Sequence, residues 1–281
     1  MKLCDLHTHS IYSDGSWTPE QLLREAERIG LAAIALTDHN TVSGLSQFMA
    51  AAQGGEVAAV PGVEVSTDYN GTELHILALW VKQAHYDAFS AWLEEPQKRK
   101  VESNKDLIRN LNAAGFALEY EKVCALTADG QFNRAHVAAE LMRLGYVQQR
   151  QEAFTKLLNP ECGYYHPPKR MTAFEAIRFI KAHGAVAVLA HPLLTLQPEA
   201  LRAFLPEAVK CGLDGMETYY VTYDEATTKL ACAMAEEFGL KKSGGSDFHG
   251  FNKPDIALGT GRGTLQVPAA LLAELRGCAA E

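Results

Sequence analysis

Residues 32–40 read AAIALTDHN. The run Ala32–Leu36 is continuous and apolar, as in a strand buried on both faces. It ends at once in Thr37-Asp38-His39-Asn40, so a buried strand delivers ionisable groups at its C-terminal end. A helix is expected before it. Thr18 reads as the N-cap, Pro19 as the first turn, Gln21 as the capping-box partner and Gly30 as the stop, with Leu22, Leu23, Ala26 and Ile29 giving the helical period. Another helix is expected after it, over Ser43–Ala52.

The same pattern extends in both directions. Leu3–Leu6 reads as a short strand, and Glu73–Val81 as another. Val57–Val60 and Val63–Val65 flank Pro61-Gly62, which predicts an interrupted strand. Further on, Thr172–His183 reads as a helix capped by Thr172 and Glu175, and Val186–Ala190 as a buried strand. Pro198–Lys210 (helix), Gly215–Thr218 (strand), Tyr223–Phe238 (helix), Lys241–Gly244 (strand) and Val267–Cys278 (closing helix) follow. Strands alternating with helices imply an α/β protein with a mostly parallel sheet, and about seven strands suit a (β/α) barrel. From about Gln83 to Tyr164 the chain is instead rich in charge and helix formers. The expected organisation is therefore a barrel begun over 1–82, a helical insertion over 83–164, and the barrel completed over 165–281.

Composition narrows the function classes. Lys plus Arg is 26 against 34 Asp plus Glu, a formal charge of −8. That balance argues against charge-driven binding to duplex DNA. No apolar run approaches the ~20 residues of a membrane span. The start MKLCDLHTHS lacks a secretory pattern, and the six cysteines form no C-x-x-C pair. Reduced thiols in a cytoplasmic protein are the expectation.

In barrels of this kind active sites gather at the C-terminal ends of the strands. His7, His9 and Asp14 follow the first strand, and Asp38 and His39 the second. Glu64 and His75 lie within the third and fourth, His191 ends Val186–Ala190, and Glu217 lies near the end of the next. Asp247 and His249 follow Gly244-Gly245, where glycine permits a tight turn and close backbone approach. His7-x-His9 puts two imidazoles on one face of an extended segment. A buried Glu64 is costly unless paired or metal-bound. Singly, His75 reads as a satisfied core histidine, Asp38 as a helix cap and His191 as a strand-end residue bonded to backbone. Jointly, six histidines and three carboxylates (Asp14, Glu64 and Asp247) at one mouth point to a metal cluster.

The HTHSIYSDGS start, TDHN, Glu64, His75, His191-Pro192 and SDFH resemble the PHP (polymerase and histidinol phosphatase) metal-dependent phosphoesterase domain. The likeness covers roughly residues 1–80 and 165–270. It is strongest to bacterial stand-alone members with a helical insertion, 3′,5′-nucleoside bisphosphate phosphatases related to a 5′-to-3′ exoribonuclease. The resemblance implies a distorted seven-stranded barrel with two or three divalent ions. A first ion would be held by His7, His9, Glu64 and Asp247, a second by Glu64, His75 and His191, and a third by Asp14, His39 and His249. Many relatives carry His where this chain has Asp14. The mixed ligands suit Mn²⁺, Fe²⁺ or Zn²⁺, and the family favours Mn²⁺.

On this reading clustered ions neutralise a phosphate ester and activate water. Asp38 would orient an imidazole or shuttle a proton, and Asp247 or His249 would serve as acid or base. Substrate selectivity is expected from Arg134 and His136 at a helix start near Asn133, and from the cationic pair Lys169 and Arg170. Tyr12, Tyr69, Tyr219 and Tyr220 either stack on a base or pack internally. The expected partner is a small phosphorylated nucleotide, with short RNA as a further substrate and no membrane or duplex DNA. Competing readings are a histidinol-phosphate or sugar phosphatase, C–N bond hydrolysis, and a non-catalytic metal- or nucleotide-binding accessory module.

Overall fold

The computed structural model describes residues 2–127 and 132–279. In chain order the first elements are β1 (Cys4–Asp5), α1 (Pro19–Arg28), β2 (Ala33–Leu36), α2 (Leu45–Ala51), β3 (Ala58–Tyr69) and β4 (Thr72–Leu79). A helical stretch comes next: α3 (Tyr86–Ala113), α4 (Tyr120–Cys124), α5 (Arg134–Arg143) and α6 (Arg150–Ala153). The chain then forms β5 (Met171–Thr172), α7 (Ala173–Ala182), β6 (Val186–Leu189), α8 (Pro192–Thr195), α9 (Pro198–Lys210), β7 (Gly215–Tyr220), α10 (Glu225–Glu237), β8 (Lys241–Gly245) and α11 (Leu271–Arg276).

Hydrogen-bonded neighbours run β1-β2-β3-β4-β6-β7-β8, with β5 beside β3. Beyond β1 the chain continues along β8. Leu6 N–H donates to Gly244 O (3.1 Å), Asp247 N–H to His7 O (2.9 Å) and His9 N–H to Phe248 O (2.9 Å). The first and last strands thereby meet, giving among the described residues a nearly closed barrel of seven mixed strands wrapped by helices.

Alternation along the strands explains the two-sided burial. Ile34, Leu36, Ile76, Ala187 and Leu189 pack outward against α1, α7 and α9. Ala33, Ala35, Leu77, Val186 and Val188 fill the inside of the barrel. The capping boxes at Thr18/Gln21 and Thr172/Glu175 are both formed, each cap being worth about 1 kcal/mol. The helices α3–α5 and the turns after them bury a separate core that includes Leu107, Leu111, Val137, Leu141 and Leu158. No helix among the described residues is long and apolar enough to cross a membrane.

Three elements differ from the sequence reading. First, β3 is not interrupted at Pro61-Gly62. It pairs with β2 over Ala58–Pro61 and with β4 from Gly62 onward, so the missing Pro61 N–H falls where the β2 ladder ends. Second, β4 is antiparallel to both β3 and β6. Asn70 and Gly71, with φ of 51° and 83°, form the two-residue turn that reverses the chain. Third, the closing helix is only Leu271–Arg276. Val267 and Ala269 instead run alongside β1, where Val267 O accepts from Cys4 N–H and Ala269 N–H donates to Lys2 O.

Candidate metal centre

The reversal of β4 positions His75. The other strands bring ligands from their C-terminal ends, whereas β4 begins at the same mouth, so His75 enters from its N-terminal half, opposite Ser66. Glu64, on β3, is at the centre. Its Oε2 lies 3.2 Å from His7 Nε2, 3.3 Å from His9 Nε2 and 3.0 Å from His39 Nδ1. Its Oε1 lies 2.7 Å from His75 Nδ1 and 3.1 Å from His191 Nε2. A second carboxylate, Asp14, faces His249 Nε2 at 3.1 Å and both His9 and His39 at 3.8 Å. Asp247 Oδ1 lies 3.2 Å from His9 Nε2.

Ligand atoms converge in three overlapping sets: His9, Asp14, His39 and His249; His7, His9 and Glu64; His39, Glu64 and His75. The grouping differs in detail from the one implied by resemblance: His9 joins Asp14, His39 and His249, His39 also joins Glu64 and His75, and Asp247 and His191 fall in none of the three sets, facing His9 and Glu64 from their edges.

The donor chemistry fits divalent ions. His7 Nδ1 lies 3.0 Å from Glu217 Oε1, which accepts its proton and fixes the tautomer. The lone pair on His7 Nε2 then faces Glu64 Oε2, and neither atom has a hydrogen-bond partner; nor does His9 Nε2. Buried acceptors facing one another are satisfied by a cation between them.

The electrostatics agree. Burial opposes ionisation of His75 and His9, yet Glu64 and Glu73 push His75 up to about 10, while Asp247 and Glu64 push His9 up to about 9. Burial would raise the carboxyl of Glu64, but the surrounding imidazoles hold it well below the usual range. Burial likewise opposes ionisation of Asp247, which is nonetheless held low, chiefly by Lys253 and His249. The acids demand positive charge, and protons on the imidazoles compete with metal for that role.

This competition has a testable sign. The acids beside His9 and His75 favour protons on these rings, and such protons must leave before the lone pairs coordinate. The apparent Kd for Mn²⁺ is expected to fall as pH rises from 6.5 to 8.5, by about tenfold per pH unit for each proton displaced. Calorimetric titration at several pH values checks this, and a flat Kd contradicts it.

The mouth is held by buried polar contacts and strained backbone. Asn40, His191 and Asp247 have φ of 53°, 29° and 54°, a region that non-glycine residues rarely adopt. Gly245 serves close approach: a Cβ there would sit 2.4 Å from His7 Cβ and 2.5 Å from His7 N. Asp38 makes its hydrogen bonds to Ser10 N–H (2.7 Å), Ser10 Oγ (2.6 Å) and Ser13 Oγ (2.7 Å) rather than to an imidazole. It therefore fastens the loop that carries His9 and Asp14. His249 Nδ1 donates to Asp247 O at 2.8 Å, which directs its Nε2 at Asp14.

Several partners of the ligand residues have no role at a metal centre in the sequence reading. Glu217 accepts from His7 and, at 2.7 Å, from His191 N–H. Tyr220 and Lys253 both donate to Asp247 Oδ2. Asn133 Nδ2 donates to Asp14 Oδ2 at 2.6 Å. In the sequence Glu217 stood out by its place near a strand end, Tyr220 only as a stacking or packing aromatic and Asn133 only as a helix start, and Lys253 carried no signal.

A cavity of about 260 Å³ opens onto His39 and His75, and its walls include Lys100, Arg134, Lys169 and Arg170. Arg134 is stacked over Tyr165, 4.6 Å from the ring centroid, and donates to Leu158 O. Arg170 pairs with Glu73 at 2.7 Å. His136 is not among the lining residues. Its Nδ1 accepts from Asn133 N–H in a capping box at the α5 start. The α5 amides of Ala135 and His136 donate to Asn133 Oδ1, so the N-cap already occupies these two. Tyr69 packs on Phe174 and Phe204, so it is not a free stacking platform, and Tyr12 O–H donates to Gln47.

Residues 5–160 match the family model described as the PHP domain, and the chain belongs to that family. It is 31% identical over 249 residues to a 5′-3′ exoribonuclease of Haemophilus influenzae, covering 88% of this chain and 90% of the relative. It is 32% identical over 252 residues to a phosphoribosyl 1,2-cyclic phosphate 1,2-diphosphodiesterase of Eggerthella lenta (88% and 94%). It is 29% identical over 247 residues to a 3′,5′-nucleoside bisphosphate phosphatase of Chromobacterium violaceum (87% and 86%). The fold matches a solved structure from Bifidobacterium adolescentis, described as a metal-dependent phosphoesterase, at 24% identity with a TM-score of 0.86, covering 100% of this chain and 97% of that one. The chain is a metal-dependent phosphoesterase, a hydrolase of phosphate esters.

Proposed function

We propose that this enzyme removes the 3′-phosphate of 3′,5′-nucleoside bisphosphates with Mn²⁺ as its ion, and that it also trims short 5′-phosphorylated RNA. The observation that carries the reading is the cavity, which joins His39 and His75 of the metal centre to Lys100, Arg134, Lys169 and Arg170. One phosphate at the ions and a second among these cations fits a substrate with two phosphates. The volume is at the small end for ligand cavities, as suits a mononucleotide. Two relatives are named for these activities.

Divalent ions would supply charge neutralisation and activate water for in-line attack. The chain's own part is positioning. Glu64 and the imidazoles would hold the ions, Glu217 fixes His7, Asp38 fixes the His9–Asp14 loop, and Arg134, braced on Tyr165, would present N–H groups to the second phosphate.

Phosphate release should be measured with Mn²⁺ on a 3′,5′-bisphosphate, a 3′-monophosphate, a 5′-phosphorylated oligoribonucleotide, a cyclic phosphodiester and histidinol phosphate. The expected order places the bisphosphate first in kcat/KM. Histidinol phosphate in first place overturns the proposal. Arg134→Ala is expected to raise KM for the bisphosphate about 10- to 100-fold, the value of a charge-assisted hydrogen bond, with little change in kcat. An equal rise for the monophosphate counts against a second phosphate subsite.

A further inference from the structure

Asp247 is gripped on both oxygens. Oδ1 faces His9 Nε2 at 3.2 Å, His249 Nδ1 at 3.4 Å and His7 Nε2 at 3.7 Å. Oδ2 accepts from Tyr220 O–H at 2.8 Å and from Lys253 Nζ at 2.7 Å. The donors approach from separate places, the end of β7 and the turn beyond β8. The main chain is fixed as well, since Asp247 has a φ of 54° and its N–H donates to His7 O. An ammonium group repels divalent cations, so Lys253 beside an acid that faces three imidazoles of the centre needs another explanation than ligation.

We propose that Tyr220 and Lys253 are positioning residues that occupy Asp247 Oδ2, so that Asp247 offers the metal centre one oxygen only. A carboxylate free on both oxygens can chelate, and each extra protein oxygen takes a place that water or a phosphate oxygen needs on a catalytic ion. The inference rests on the metal-dependent reading of the site.

Co²⁺-loaded protein provides a test, because its visible ligand-field bands weaken as coordination number rises. Wild type, Tyr220→Phe, Lys253→Met, the double variant and Lys253→Arg are compared for bound Co²⁺ per chain, visible spectrum, and kcat and KM on a 3′,5′-nucleoside bisphosphate. Unchanged stoichiometry, weakened bands in the double variant and a kcat lower by about 10- to 100-fold at similar KM are expected. Lys253→Arg, which keeps a charged donor, should retain the wild-type spectrum. A double variant with the wild-type spectrum overturns the proposal. So does loss of bound Co²⁺ with unchanged thermal stability of the ion-free protein, since the pair would then be needed for binding itself. Wild type that takes up no Co²⁺ overturns the metal reading, a result separable from the other two.

Discussion

Glu64→Gln is expected to lower kcat/KM for phosphate release by about 1,000-fold or more and to remove at least one ion per chain. The size follows from the number of groups this side chain serves. Its two oxygens lie within 3.3 Å of nitrogens on His7, His9, His39, His75 and His191. An amide keeps the shape and loses the charge, and several kcal/mol of transition-state stabilisation go with the ions it holds. Elemental analysis and single-turnover assays of the purified variant check both parts. A Glu64→Gln enzyme with full metal content and more than a tenth of normal activity contradicts the central role given to this residue.

Gly245→Ala is the second large expected effect, and it acts without touching a ligand atom. The new methyl would lie 2.4 Å from His7 Cβ and 2.5 Å from His7 N, so the backbones joining the first and last strands must separate. Overpacking of this kind costs about 1–3 kcal/mol. The same displacement moves His7 away from Glu64 and Glu217. The expectation is a Tm lower by several degrees together with weakened metal binding. Gly54→Ser, at an exposed position where nothing lies within 4 Å of an added Cβ, gives a control for general glycine loss, although its positive φ also carries some strain. A Gly245→Ala protein with normal Tm and normal metal affinity contradicts the close-approach argument.

What the sequence disclosed depended on how local each signal was. The apolar run ending in TDHN and the caps at Thr18 and Thr172 are local, and each formed as read. The strand-end histidines and acids were legible because a barrel rule converts position in a strand into position in space. Strand direction was not legible. The Asn70-Gly71 turn is a short-range hairpin signal, but the assumption of a parallel sheet hid it. Pro61 looked like an interruption because its effect depends on which neighbour needs an N–H there, and that is a property of pairing. The cap role of His136 depends on whether Asn133 uses its side chain on the helix or leaves the amides open. The supporting contacts were the least visible. Tyr220 O–H meets a carboxylate 27 positions away and Asn133 meets one 119 positions away, so only the folded backbone relates them.

The reversed strand also sets the course of the next long helix. Because β4 starts at the metal-bearing rim, it finishes at the far one, where Trp80 shares a groove with Ala59 and Tyr86. The chain must climb the full height of the barrel before it can reach the substrate cavity. The first part of the 28-residue α3 provides that climb, about 16 Å from Tyr86 to Gln97 and about 27 Å to Asn104 at 1.5 Å per residue. It carries Gln97, Lys100 and Asn104 to the cavity wall. Removing one turn of this mast, about 5.4 Å, would lower its crown and unseat the roof while leaving every ion ligand in place.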